Sequence, residues 1–385
     1  MDAALQRDSD VPLYLQITEI LKQKIVQGGI APDKNLPAEP ELCEHFGVAR
    51  GTIRQALSKL ESEGYVRREQ GRGTFVVWGI KRSLTQQLVG NQIGFVVPYV
   101  RDSFMASILL GAERAASEHK LSITFKHVEN DVRRQAEVLD DLAAQRLAGI
   151  LLYPVNSEGD DTVQRLILSG YPMVLVDRYL RKTPSDFVMS DHFGGALRAT
   201  QHLILLGHQR IGFVSWRDAS ISLEHREAGY RQALTEMGIP YDSALTVEVE
   251  SYPRILSEPL QTLFNRELGI TAVMAANDQI ALAVYQTARK NGVRVPEDLA
   301  LVGFDNLDFT AHLDTPLTTV EQPTFEIGQT AVETLVRRIN DENMAPQRVI
   351  LPTKLIVRQS CGAHLRLRAV GEGETGQALT LKGTH

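Results

Sequence analysis

An α/β protein is predicted: a small amino-terminal helix-turn-helix unit with a β-hairpin, then two lobes built on doubly wound parallel sheets. Three observations predict it. From Leu36 to Val77, helical periodicity is broken by a glycine turn and closed by a glycine-tipped hairpin. From Gln92 onward, short apolar runs alternate with amphipathic segments in a βαβα rhythm. The length, 385 residues, leaves room for two or three domains with sizeable cores.

Pro12 opens the first helix, on which Leu13, Ile17, Ile20, Leu21 and Ile25 form one stripe before Gly28-Gly29 ends it. Glu39 to Phe46 is a second, short helix with Leu42, Cys43 and Phe46 on one face. Gly47-Val48 turns the chain into a third, Ala49 to Glu63, which buries Ile53, Ala56, Leu57 and Leu60 and ends at Gly64. Tyr65–Arg68 and Thr74–Val77 read as strands joined through Gln70-Gly71-Arg72-Gly73. Arg50 and Arg54, four residues apart, share the outer face of the third helix.

Two helices crossing steeply over a short turn can lay the start of the second in a DNA major groove. A guanidinium there grips phosphate as a fork, or the O6/N7 edge of guanine. At the hairpin tip, Gly71 and Gly73 permit close backbone approach and Arg72 can enter a minor groove. A helix pair with two exposed arginines also occurs in purely structural domains. The pattern LPxExELxxxFGVxRxTIRxALxxLExEGxVxRxxGxGTFV, over residues 12–77, resembles the winged helix-turn-helix of the gluconate-repressor (GntR) family. The resemblance implies DNA contacts by Arg50, Thr52, Arg54, Gln70 and Gly71, with Arg72 beside them. Pro40, Ala49 and Gly51 depart from the family pattern, and Ala49 lacks the hydroxyl of an N-cap worth roughly 0.5–2 kcal/mol. The family's commonest operator therefore does not carry over.

Residues 78–91 are polar and unpatterned and read as a linker. The first βα series follows: the strand at Ile93–Pro98, helix 103–119, strand Ile123–Val128, helix 132–144, strand Gly149–Pro154, helix 160–169 and strand Met173–Asp177. The second starts with helix 192–206, capped by Asp191, and proceeds through IGFVSW, a helix over 223–237, LTVEV, a helix near 256–264, TAVMAA, a helix over 280–291 and LALVGF. Helix 325–340 is expected to return to the first lobe, so the chain crosses between lobes more than once.

Ligands of open parallel sheets bind beyond the carboxyl ends of the strands. Those ends are Pro98-Tyr99, Tyr153-Pro154 and Asp177-Arg178 in the first lobe, and Ser215-Trp216, Asn277-Asp278 and Asp305-Asn306 in the second. Carboxylates, an amide, guanidiniums and flat rings facing one cleft suit a polyhydroxylated solute. An Asp or Asn after a strand equally caps the next helix, and Asp191 and Asp278 read as such caps. The segments VDRY, SDHFGGALRATQHLILLGHQRIGFV, SLEHREAGYRQAL, AANDQIALAVYQTARKNGVRVPEDLALVGFDN and LTTVEQP resemble the effector domain of the LacI/galactose-repressor family, over about 92–360. This implies a periplasmic-binding-protein-like fold and effector contacts by Arg226, Asn277, Asp305 and Gln322, with Ser222, Asp177 and Arg178 next. Tyr99 and Phe104 lie where that family lines its first lobe. Trp216 stands where a small residue is commoner and would narrow the pocket or stack on a ring. The pairing of the two parts resembles the arabinose-repressor type of regulator.

Composition restricts the rest. The chain has 41 Lys+Arg against 47 Asp+Glu, so bulk charge does not announce nucleic acid; the placement of the arginines does. Two distant cysteines give neither a disulfide framework nor a zinc pattern, and the histidines show no metal spacing. No signal segment and no apolar run of about 18 residues occurs, which points to the cytoplasm. Lysine-centred cofactor, GxSxG, HExxH and GxxxxGK[ST] motifs are absent, so catalysis, a cofactor and a metal are not expected. A transport binding protein would suit the lobes alone but not the fused reader.

The expected organisation is a DNA reader over 1–77, a linker over 78–91, a two-lobed effector and dimerisation domain over 92–362 and a disordered tail over 363–385. The expected function is a ligand-responsive repressor of carbohydrate-utilisation genes. It would bind double-stranded operator DNA as a homodimer, with no membrane partner, and a sugar or sugar derivative would release it. A nucleobase or other small metabolite, and corepression, are the alternatives.

Overall fold

The structure is a computed structural model that describes residues 5, 11–26, 30, 34–62, 65–69, 73–76, 90–100, 102–216, 220–250, 257–341 and 344–365. The reader comprises helices α1 (Leu13–Val26), α2 (Glu39–Phe46) and α3 (Arg50–Ser62), and the antiparallel pair β1 (Val66–Glu69) and β2 (Gly73–Val76). Ile17, Leu21 and Ile25 of α1 close one core with Leu42, Phe46, Ile53, Leu57 and Leu60. The apolar stripe read from the sequence is therefore the packing stripe, and Cys43 sits half-buried against it. Gly47 ends α2 at φ 61°, a left-handed conformation that a side chain would resist.

The first lobe is a six-stranded sheet made from β3 (Gln92–Val97), β4 (Ser122–His127), β5 (Gly149–Leu152), β6 (Met173–Val176), β7 (Asp186–Ser190) and, from far along the chain, β13 (Arg348–Leu351). Its order is β13-β7-β6-β5-β3-β4, all parallel. Helices α4 (Ser103–Glu118), α5 (Val132–Ala144) and α6 (Asp161–Leu168) intervene. The second lobe begins with α7 (His192–Leu205), β8 (Ile211–Trp216), α8 (Ile221–Glu236), β9 (Thr246–Val249) and the short α9 (Ser257–Leu260). It continues with β10 (Ala272–Ala275), α10 (Asp278–Lys290), β11 (Ala300–Asp305) and β12 (Thr318–Glu321). Helix α11 (Thr324–Asn340) then returns to the first lobe, and β14 (Lys354–Ile356) completes the second sheet in the order β14-β12-β11-β10-β8-β9.

The chain thus passes between lobes three times, at Ser190–His192, Glu321–Thr324 and Leu351–Lys354. Two of these crossings are stitched together. Asp191 N–H donates to the Leu351 carbonyl at 2.8 Å, and Arg198 Nη2 donates to Thr353 Oγ1 at 2.7 Å. Helices α4 and α11 pack on each other at Gly111 and Gly328, where a Cβ would collide with the backbone of the other helix. Of the tail expected over 363–385, residues 363–365 are described: Ala363 packs on the second lobe's core, and Leu365 N–H donates to the Gly362 carbonyl at 3.0 Å; the rest lies outside the described residues. No described helix is long and apolar enough to cross a membrane.

Candidate effector cleft and DNA-reading surface

A buried chain of polar groups links the carboxyl ends of β6, β10 and β11 across the crossings between the lobes. Asp177, just after β6, lies 3.4 Å from Nε2 of His192 at the start of α7. Arg226 of α8 approaches Nδ1 of the same ring at 3.3 Å, lies 3.3 Å from Asp305, and donates Nη1 to the Ala276 carbonyl at 2.5 Å. Its guanidinium also stacks on Phe304 at 3.9 Å. Gln322 Nε2 donates to Asp305 at 2.7 Å, while its buried Oε1 has no partner among the described residues. On the first-lobe side, the Arg178 guanidinium lies 5.0 Å over Tyr153, whose ring centroid is 6.4 Å from that of Tyr99.

Burial and charge oppose each other here. Burial pushes Asp305 up to about 7, assisted by Asp102, in spite of Arg226. Burial would also raise Asp177, but His192, Arg178 and Arg226 reverse the effect and hold it at about 2. The His192 ring is pushed down by burial and kept neutral at physiological pH despite Asp177. Asp177, Asp305 and Asn306 have φ of 63°, 113° and 54°, which only a well-packed surround sustains in non-glycine residues. The lobes also touch through a buried bond from Ile221 N–H to Ser157 Oγ at 3.1 Å and through an exposed pair of Arg181 with Glu224. A separate cavity of about 560 Å³, lined by His119, Leu121, Ala148 and Val336 among others, opens at the opposite end of the first lobe.

The reader's outer face is different in kind. Nε of Arg50 and of Arg54 both donate to one oxygen of Glu39, at 3.0 and 3.1 Å. Both arginine side chains are largely exposed. Partial burial would raise the Glu39 carboxyl, but the two guanidiniums lower it below its usual value. Arg68 of β1 donates Nη2 to the Arg54 carbonyl at 3.1 Å, tying the hairpin to α3. Gly51 has open space around the position of a Cβ.

Residues 13–76 match the family described as bacterial regulatory proteins, gntR family, and residues 200–361 match the periplasmic binding protein-like domain. The arabinose metabolism transcriptional repressor of Geobacillus stearothermophilus is 30% identical over 366 residues, which span 92% of this chain and 99% of that protein. The chain belongs to the family of transcription regulators that join a GntR-type reader to a periplasmic-binding-protein-like sensor. It is a ligand-responsive, DNA-binding regulator and not an enzyme. The solved complex of the transcriptional regulator CelR with cellobiose superposes with a TM-score of 0.67 at 28% identity, covering 84% of this chain and all (100%) of that one. A LacI family regulator from Enterococcus faecium with bound ribose gives 0.62 at 26% identity, covering 70% of this chain and 98% of that one.

In this GntR-type regulator, Asp177, Arg226, Asp305 and Gln322 are brought into one network, with Tyr99, Tyr153 and Arg178 grouped on the first-lobe side. Ser222 is buried in the first turn of α8. Phe104 packs on the first lobe's core, and Trp216 on the second's. Asn277 is the N-cap of α10, its Oδ1 accepting from Ile280 N–H at 2.9 Å, which leaves its amide nitrogen and one lone pair of Oδ1 for a ligand. Asp278 corrects the sequence reading: it caps nothing. It is buried and accepts from Thr319 Oγ1 at 2.6 Å and Leu307 N–H at 2.8 Å. Burial and nearby Asp305 hold it well above the usual carboxylate range. Asp191 does cap α7, accepting from Gly194 N–H at 2.7 Å. Thr52 is half-buried on α3, and Gln70, Gly71 and Arg72 lie outside the described residues.

Sequence reasoning missed Glu39, Asp102 and His192 as members of these sites. Asp102 follows the β3 end and could have been found by the strand-end rule. Nothing local marks Glu39, which meets its partners 11 and 15 residues away, or His192, whose role follows from a crossing between lobes.

Proposed function

We propose that this regulator represses carbohydrate-utilisation genes by holding operator DNA as a homodimer, and that a neutral sugar in the cleft releases it. The supporting observation is the charge balance of the buried network. The cations Arg178 and Arg226 face the ionised Asp177 and the partly ionised Asp305, with His192 neutral. A phosphorylated effector would need surplus cations there. A polyol needs the alternation of donors and acceptors that is present, with Tyr99 and Tyr153 to cover its C–H faces. The relatives named for arabinose and cellobiose support a sugar. A soluble cytoplasmic protein without cofactor fits that role.

The test uses a duplex selected by the protein from a randomised pool. Arabinose, ribose or cellobiose is expected to weaken its retention by at least about tenfold, the scale of allosteric couplings, whereas glucose 6-phosphate is not. Release only by anionic sugars or nucleobases would overturn the proposal. Arg50→Ala and Arg54→Ala should each weaken the duplex by about 1–3 kcal/mol; unchanged binding would reject α3 as the reading helix.

A further inference from the structure

Helix α6 carries two contacts that the cleft does not explain. Its first residue, Asp161, accepts a hydrogen bond at 3.1 Å from Lys22 of the reader. The Lys22 side chain is 9% exposed and its ammonium lies 5.0 Å over the Tyr65 ring, whereas Asp161 is 73% exposed. At the other end of α6, Leu168 packs against the reader's apolar core. Asp161 and Leu168 are two helical turns apart and share one face, while Val163 and Leu166 point into the first lobe. One face of α6 thus holds the reader by a polar contact at its start and an apolar one at its end.

The same helix is wired to the cleft. Its N-cap, Asp160, uses one oxygen for the N–H groups of Thr162 and Val163 and accepts from Gln135 Nε2 with the other, at 2.6 Å. Gln135, buried, accepts from Val155 N–H at 2.9 Å, and the Val155 carbonyl accepts from Arg178 Nη1 at 2.8 Å. Three bonds therefore run from the cleft arginine to the cap of the reader-holding helix.

We propose that α6 is the docking face for the reader of the same chain, and that the Arg178–Val155–Gln135–Asp160 relay makes the docked geometry respond to the cleft. A docked reader has a fixed orientation, so two of them in a dimer present α3 at a fixed separation. Paired half-sites on a duplex demand such a separation; a single half-site does not. The inference rests on the regulator reading but needs no sugar to test.

Full-length protein is titrated with a pool-selected duplex bearing paired half-sites, and with the same duplex after one half-site is scrambled. Asp161→Lys is expected to weaken the paired duplex about fivefold or more and to leave the single half-site within about twofold. Adding Lys22→Glu should restore most of the loss by reversing the pair. Unchanged or tighter paired binding by Asp161→Lys overturns the docking face, whatever Lys22→Glu does to the reader itself. For the relay, the effects of Asp161→Lys and Arg178→Lys on the paired duplex should depart from a simple product by more than about threefold. That departure should vanish with Gln135→Leu; multiplicative effects in the wild-type background overturn the relay. Failure of wild-type protein to hold any duplex would instead count against the regulator reading.

Discussion

The reader and the cleft both set arginine against carboxylate, in opposite surroundings. Arg50 and Arg54 share Glu39 at the surface, where water and salt screen the attraction. Arg226 meets Asp305 with both side chains nearly buried, among His192, Ala276 and Phe304. The exposed pairs are exchangeable: a phosphate can take the place of Glu39 at little cost. The buried pair is fixed, because neither charge can be left without compensation. A DNA-reading surface needs the first property, and a ligand-gated hinge needs the second.

Removing one cation from each site should expose this difference most strongly. Arg226→Met strips Asp305 of its cation, leaves the Ala276 carbonyl without its donor and opens the stack on Phe304. A loss of about 3–5 kcal/mol is expected in urea unfolding of the sensor. Arg50→Met should change stability by less than about 0.5 kcal/mol. Equal losses would show that the two pairs are not different in kind.

The next effect is a pH dependence confined to the cleft. Asp305 is raised to about 7 in the folded protein, above its unfolded value near 3.9. The folded state then holds more protons than the unfolded one between these values. Stability contributed by protonated Asp305 is full below about pH 4 and is lost as pH rises through about 7. Wild type should therefore lose stability relative to Asp305→Asn between about pH 5 and 8, by about 1–2 kcal/mol, in paired urea titrations. Asp278 is raised in the same sense and remains in the variant, so only part of the slope disappears. A wild type that instead loses stability relative to Asp305→Asn as pH falls would show that Arg226 outweighs burial.

The two regions were also unequally legible in the sequence. The reader's helices follow from Ile17, Leu21, Leu42, Phe46, Ile53 and Leu57, whose spacing is their packing. The central strands β5, β6 and β10 are continuous apolar runs and stand out in the same way. Strands β7, β12, β13 and β14 did not stand out. Each has only three to five residues, and β13 and β14 are edge strands with no fully buried residue. Their pairing is decided by the crossings, which join residues far apart in sequence. The cleft was legible as a set of strand ends but not as a network. The strand-end rule located Asn277 and Asp278 without showing that the first caps α10 while the second is buried behind β11. Positive φ at Asp177, Asp305 and Asn306 left no mark, since none is a glycine.

The smallest expected effect bears most directly on why the surface pairs are there. Glu39 neutralises part of the charge of Arg50 and Arg54, the proposed DNA contacts, and it also holds both guanidiniums at one point. These two roles oppose each other in binding. Exposed pairs are worth about 0.2–1 kcal/mol, so Glu39→Gln frees the arginines for any phosphate at little cost in folding. If neutralisation dominates, affinity for random duplex should rise about two- to fivefold at low salt. The selected duplex should gain less, because base contacts need the aim that Glu39 supplies. Fluorescence anisotropy on both duplexes over a salt series measures this directly. A fall in affinity on both would mean that Glu39 acts by orienting the arginines. The reader would then be pre-organised as the cleft is, and the contrast between the two regions would lie only in their exposure.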